Sequence, residues 1–180
     1  AANYQITLAN GTLTVGRQTP VITWATPEAI TYGIPLGQAQ LEAKADVAGT
    51  FEYSPPIGVI LGSGETTLRV TFTPDDKAAH TTAEPSVVLA VEKVQLSVRV
   101  EDVSRDYGLE NPEFELVYEG FVNGEDADVL VESVSVDTLA KVDSPAGDYP
   151  IRLSGGEAAN YEITLTNGTR TVGRKIPVVT

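Results

Sequence analysis

Apolar and polar residues alternate along most of the chain with a period of two, and no stretch of about 11–18 residues carries a sustained helical stripe. Side chains two apart share one face of a sheet, so each alternating run predicts a strand with its apolar set turned inward. In the first half the runs are Leu41, Ala43 and Ala45 in QLEAKA, Phe51 and Tyr53 in TFEYS, Leu68, Val70 and Phe72 in TTLRVTFT, and Val87, Leu89 and Val91 in SVVLAVE. Pro27, Gly33, Pro35, Gly49, Pro55, Pro56, Gly62, Gly64 and Pro74 punctuate them. Short strands separated by turn residues predict a sandwich, and the only Trp, Trp24 in VITWATP, is placed to plug one end of its core.

The second half opens with the cleanest alternation in the chain, Gln95 to Glu101, with Leu96, Val98 and Val100 inward. Residues 91–96 hold no flexible linker, so the last strand of the first half is expected to run almost directly into this one and to limit bending between two modules. A strand with Phe114, Leu116 and Tyr118 inward follows Asn111-Pro112. Asn123 to Leu130 predicts a single helical turn, capped by Asn123 with acids at its amino end. Further strands are expected at 131–136, 149–153 and 161–165. Asn167-Gly168, a pair that accepts positive φ at both turn positions, then predicts a closing hairpin into 169–172.

The first 23 residues, AANYQITLANGTLTVGRQTPVIT, return at 158–180 as AANYEITLTNGTRTVGRKIPVVT, with 17 of 23 positions identical at a constant offset of 157. Self-similarity at a fixed period is the mark of a repeat array. The spacing predicts one period of a tandem protein made of two modules. In that phase residues 1–17 are the terminal hairpin of a preceding copy, turning at Asn10-Gly11, and 175–180 begin the next. Residues 1–16 are then expected to pair with a sheet edge or to stay mobile.

Composition narrows the functions. Twelve Lys and Arg against 25 Asp and Glu leave a net charge of −13, which repels nucleic acid and anionic membrane and favours solubility. No Cys is present, which removes disulfides, thiolate metal sites and Cys nucleophiles together, so each module must be held by its hydrophobic core alone. With no Met, no signal peptide and no apolar run of about 18 residues, the chain is expected to be a soluble segment of a longer one.

PVITWATPEAITYG followed by GTFEYSPPIGVILGSGETTLRVTFTPDD resembles the bacterial immunoglobulin-like repeats, over about residues 20–92. The chain departs from that pattern at His80, where a further Tyr is usual. DYGLENPEFELVYEGFVNGEDADVL, then AGDYPIRLSGGEAANYEITLTNGTRTV, resembles the MBG repeat of YGX type over about 94–174, with Tyr107-Gly108, Asn111-Pro112, Gly120-Phe121 and Asn160-Tyr161 as its marks. The resemblances imply a mainly β chain of two modules in tandem. An immunoglobulin-like sandwich at 18–93 would precede a β-grasp-like mixed β module at 94–174 with at most one short helix. They also imply a bacterial surface or secreted protein.

Chemistry-bearing residues are sparse. His80, the only His, lacks an orienting partner and a nucleophile and is expected to be a solvated loop residue. Paired acids such as Asp75-Asp76 are expected at solvated turns, where general acid–base work has no cleft. Asn123, Glu125, Asp126 and Asp128 are the calcium candidates by oxygen density. They lack the order of a calcium loop, and capping of a helical turn accounts for them equally. The Asn10 and Asn167 sequons are explained by their turns, and Lys44, Lys77, Lys93 and Lys141 are possible donors of an isopeptide link without a spacing that favours one. Tyr32, Tyr107 and Tyr118 are the aromatics to consider for carbohydrate, with packing against neighbouring turns as their expected role.

The expectation is therefore a non-catalytic, adhesive or structural module acting as a stiff extracellular spacer, without catalytic residues, cofactor or bound metal. Its expected partners are neighbouring repeats of the same chain and host or matrix glycans, with no nucleic acid and no membrane insertion by this segment. A carbohydrate- or mucin-binding module is the alternative.

Overall fold

The computed structural model describes residue 13 and residues 15–174. The expected hairpin at 4–15, its Asn10-Gly11 turn, the docking of residues 1–16 and the start of a following copy at 175–180 lie largely or wholly outside the described residues. The described chain is nearly all β, with one short 3-10 turn and no α-helix among those residues.

In the first half, β1 (Ile22–Thr23) pairs antiparallel with β3 (Lys44–Ala45). A four-stranded sheet is built from β2 (Ile30–Thr31), β4 (Gly49–Ser54), β5 (Gly64–Pro74) and β6 (Ser86–Glu92), in the order β2-β6-β5-β4. Only β2 and β6 run parallel there. The alternation in TTLRVTFT becomes a fully buried row, Leu68, Val70 and Phe72, and Leu68 meets Ile30, Leu36, Leu41, Leu61, Leu89 and Val91 in one core. Trp24 is half-buried beside it, edge-on to Tyr53 at 5.6 Å, with its indole N–H donating to the Gln40 carbonyl at 3.2 Å.

The second half holds β7 (Val94–Val100), β8 (Val103–Asp106), β9 (Leu116–Glu119), the 3-10 turn (Ala127–Val129), β10 (Leu130–Thr138), β11 (Gly147–Ala158), β12 (Tyr161–Thr166) and β13 (Gly168–Gly173). These form two sheets, β12-β7-β9 and β10-β11-β13-β8, each mixing one parallel pair with antiparallel ones. Between them lies a second core of Leu96, Val98, Val100, Val134, Ile151, Leu153, Ala158 and Tyr161.

The structure corrects several expectations: QLEAKA forms a strand only at Lys44–Ala45, and Phe114 lies ahead of β9 (Leu116–Glu119) rather than in it. Asn167-Gly168 does not turn a hairpin. β12 pairs with β7 in one sheet, while β13 pairs with β11 and β8 in the other, so the chain crosses between sheets at this dipeptide. Neither residue has positive φ; instead the Asn167 carboxamide oxygen accepts from Leu153 N at 2.8 Å, and a Cβ on Gly168 would stand 2.9 Å from the Val100 carbonyl. The helical-turn cap is also Asp126 rather than Asn123: its carboxylate accepts from Asp128 N at 3.0 Å. Asn123 (φ 58) and Gly124 (φ 75) occupy the centre of a turn closed by Glu125 N donating to the Val122 carbonyl, the pattern of a type I′ turn.

Arg170 is an anomaly in the second core. It is 0% exposed, and no hydrogen-bond partner reaches any of its three guanidinium nitrogens among the described residues. Its guanidinium carbon lies 5.8 Å from the centre of the Phe114 ring. Burial, and secondarily repulsion from Arg105, holds its pKa below the ordinary value. At the corresponding position of the earlier copy, 157 residues back, stands Leu13. Replacing a buried unpaired ion by an apolar residue of similar reach removes a desolvation cost that a cation–π contact offsets only in part. Arg170→Leu is therefore expected to raise stability by about 1–3 kcal/mol in urea unfolding; a loss of stability would show that the cation is held by more than Phe114.

Candidate functional site

The chemistry-bearing side chains converge on the boundary between the two halves. β6 ends at Glu92 and β7 begins at Val94, so Lys93 alone separates the two strands along the chain. Its ammonium donates to the Ala158 carbonyl at 3.2 Å, and Val94 N donates to the Asn160 carbonyl at 3.0 Å. The turn after β2 and the loop before β5 reach across from the first half. The turn joining β11 to β12, and the Phe121–Glu125 loop, reach back from the second.

Tyr32 is the hinge pin of this boundary. Its backbone N–H donates to the Glu92 carbonyl at 2.8 Å, which holds it at the last turn of the first sheet. Its ring packs against both cores and meets Tyr161 edge-on at 5.8 Å. The Tyr32 hydroxyl donates to Glu125 Oε1 at 2.6 Å, while the Tyr161 hydroxyl donates to Glu125 Oε2 and accepts from Val122 N at 3.1 Å. One carboxylate thus takes a phenol from each module, and hydrogen bonds to an ionised acceptor are stronger than neutral ones. Phe121 packs edge-on to Tyr161 at 5.5 Å and extends the aromatic cluster to Tyr118.

A second polar clasp stands beside it. Ser63 N donates to Asn160 Oδ1 at 2.9 Å and Ser63 Oγ donates to the Ala159 carbonyl at 2.8 Å. Gly33 permits the approach, because its φ is +92° and a Cβ there would fall 2.9 Å from Val122 Cγ2. A side chain at this position would wedge the modules apart.

The four calcium candidates are neighbours in sequence and divide into separate tasks in space. Asn123 forms the tight turn, Glu125 accepts the two phenols, Asp126 caps the 3-10 turn, and Asp128 sits exposed in that turn. Among the described residues no group of three or more His, Asp or Glu side chains gathers as a metal site. Tyr32 leaves the carbohydrate candidates for the junction, Tyr118 stacks on Phe121, and Tyr107 remains exposed at the opposite end of the second module. His80 is half-buried, its backbone N–H donating to the Asp76 carbonyl at 3.0 Å, in the loop that anchors Gln18. Pairwise long-range roles for Glu125, Ser63 and Asn160 have no periodic signal. In sequence the region was marked by Tyr32 as a carbohydrate candidate, by Glu125 as a calcium candidate and by the Gly120-Phe121 and Asn160-Tyr161 dipeptides of the resemblance, none of which pointed to a shared contact.

A separate groove of about 850 Å³ lies on the first module along β4, which is the outer strand of its sheet. Phe51, Tyr53, Leu41 and Ile57 supply its apolar wall, and Gln38 and Glu52 are among its polar groups.

Burial first, and the Glu125 carboxylate next, push the Tyr161 phenol up to about 12 from an ordinary value of 10.0. A hydrogen bond to Glu125 likewise raises Tyr32. The folded state thus favours neutral phenols, so the stability Tyr161 contributes is fully present below about pH 10 and is lost as pH rises towards about 12. In chemical unfolding across pH, the stability difference between the natural chain and Tyr161→Phe is expected to be flat below about pH 10 and to shrink over that window; a difference unchanged through about pH 12 would place the hydroxyl outside the network.

No helix among the described residues is long and apolar enough to cross a membrane. No curated protein matches the chain. Residues 96–171, from within β7 to within β13, match the family model described as the MBG domain (YGX type), and it is this family that the second module is similar to.

Proposed function

We propose that the chain is a non-catalytic spacer and adhesive segment of a bacterial surface or secreted protein built of tandem copies, its first module immunoglobulin-like and its second of MBG type. The observation that carries this reading is the clasped boundary: one intervening residue, a carboxylate shared by Tyr32 and Tyr161, and the Ser63–Asn160 clasp. Two modules joined by a flexible linker tumble separately and add little reach; two modules locked at their boundary convert chain length into distance. The net charge of −13 keeps such an extended, concentrated polymer from associating with itself. Neighbouring copies are its partners, the location is extracellular, and neither nucleic acid nor membrane insertion has a role for this segment.

The test is the relative motion of the modules. Glu125→Ala combined with Asn160→Ala removes the side-chain acceptor of each clasp, the carboxylate shared by Tyr32 and Tyr161 and the Oδ1 that takes Ser63 N, while sparing the two cores. The natural chain is expected to give one rotational correlation time in NMR relaxation, and the double variant two shorter ones, with boundary coupling weakened by about 2–4 kcal/mol from the lost charged and neutral hydrogen bonds. Separate tumbling in the natural chain would remove the spacer reading.

The groove along β4 favours the second reading, a carbohydrate-binding module, since Phe51 and Tyr53 stack at 6.2 Å with polar Gln38 and Glu52 beside them. Apolar rings flanked by hydrogen-bonding groups are the arrangement that sugar rings require. On a glycan array, binding that falls at least about tenfold with Gln38→Ala and Glu52→Gln together, the loss of roughly one hydrogen bond's worth of affinity, would support it. No bound glycan, or binding indifferent to both changes, would leave the groove without that role.

A further inference from the structure

The sequence repetition makes a second kind of boundary calculable. β13 ends at Gly173, whose counterpart 157 residues earlier is Gly16. Among the described residues of the first module the first backbone anchored by hydrogen bonds is Gln18, whose N–H donates to the Ala79 carbonyl at 2.8 Å and whose carbonyl accepts from Thr81 N at 2.9 Å. In a following copy the residue equivalent to Gln18 is Lys175, so Arg174 alone stands between the end of β13 and the first anchored residue of the next first module. Two Cα steps span at most about 7 Å. The loop Lys77–His80 of that next copy must therefore sit against the end of the second module from which β13 departs.

That end is apolar and uncovered among the described residues. Tyr107 N donates to the Gly173 carbonyl at 3.0 Å and Gly108 N to the Val142 carbonyl at 3.2 Å, which holds the loops around 107 and 142 beside the strand exit. They present Tyr107 at 44%, Leu109 at 57% and Val142 at 45% exposure. Three large apolar side chains grouped at one tip mark a contact surface more than a solvated one. The complementary evidence lies at the other end of the repeat: Val15 is 83% exposed, while its counterpart Val172 in the complete second module is buried. The segment ahead of Gln18 thus carries side chains built for burial in a preceding second module, which supports the same phase.

We propose that Tyr107, Leu109 and Val142 form the docking surface for the first module of a following copy, which seats its Lys77–His80 loop there and makes a second stiff boundary of different composition from the clasp at Glu125. The proposal rests on the array reading of the proposed function. Its test is a two-copy protein, residues 1–180 continued by residues 24–180 so that the 157-residue spacing is kept, compared with the single chain. The modules on either side of Arg174 are expected to tumble as one body in NMR relaxation. Leu109→Asp with Tyr107→Ser is expected to release the following copy to its single-chain correlation time; in the single chain, where both side chains are exposed, the same changes are expected to leave the unfolding midpoint unchanged. Independent tumbling of the unsubstituted two-copy protein, or a double variant that tumbles as it does, would overturn the docking surface. The array reading fails by a different observation, a parent reading frame with no further copy at this spacing.

Discussion

A single carboxylate governs how the two halves of this chain relate. Glu125 lies 93 residues from Tyr32 and 36 from Tyr161, yet accepts a hydrogen bond from each. A phenol held by an ionised acceptor in a half-dry boundary is fixed in both distance and direction. Tyr32 also lays its ring against both hydrophobic cores. The apolar contact brings the modules together without direction; the shared carboxylate chooses the angle. With Lys93 as the only residue between β6 and β7, no slack remains to relax that choice.

The cores themselves follow from alternation and tolerate little else. Leu68, Val70 and Phe72 on β5, and Leu96, Val98 and Val100 on β7, are each a period-two row that ends up buried, every member contributing on the order of 1.5–3 kcal/mol of apolar burial. No disulfide supports either module, so these rows carry the stability. Arg170 breaks the rule on the strand that closes the second core, occupying with a cation the place where the earlier copy has Leu13. A core that accommodates such a residue retains enough apolar contact elsewhere to offset it, and the face of the Phe114 ring, 5.8 Å away, favours a cation there.

The two Asn-Gly pairs among the described residues show where local reading stops. Both have the side-chain chemistry of a type I′ turn. Asn123-Gly124 adopts it, with positive φ at both residues; Asn167-Gly168 has neither, and serves as the step from one sheet to the other. The difference lies outside the dipeptides. β12 finds a better neighbour in β7, with which it pairs in parallel over six residues, and β13 finds β11 and β8, so the two strands flanking Asn167-Gly168 are drawn to opposite sheets. Local propensity for a tight turn is worth little against two whole ladders of backbone hydrogen bonds. The acids at 125–128 make the same point: a run that reads as one cluster is divided among a boundary acceptor, a cap and an exposed side chain.

What the amino-acid order determined by itself was the β character, the inward face of each main strand, the short step between modules at 91–96 and the 157-residue repetition. These are local or periodic properties, written in side chains two apart or in a segment that recurs. Tertiary structure alone decided which strands became neighbours, which Asn-Gly turned, and that Tyr32, Ser63, Glu125 and Asn160 would meet at one boundary. Contacts between residues some 36 to 97 positions apart leave no pattern along the chain, because they depend on where independently formed sheets come to rest against each other.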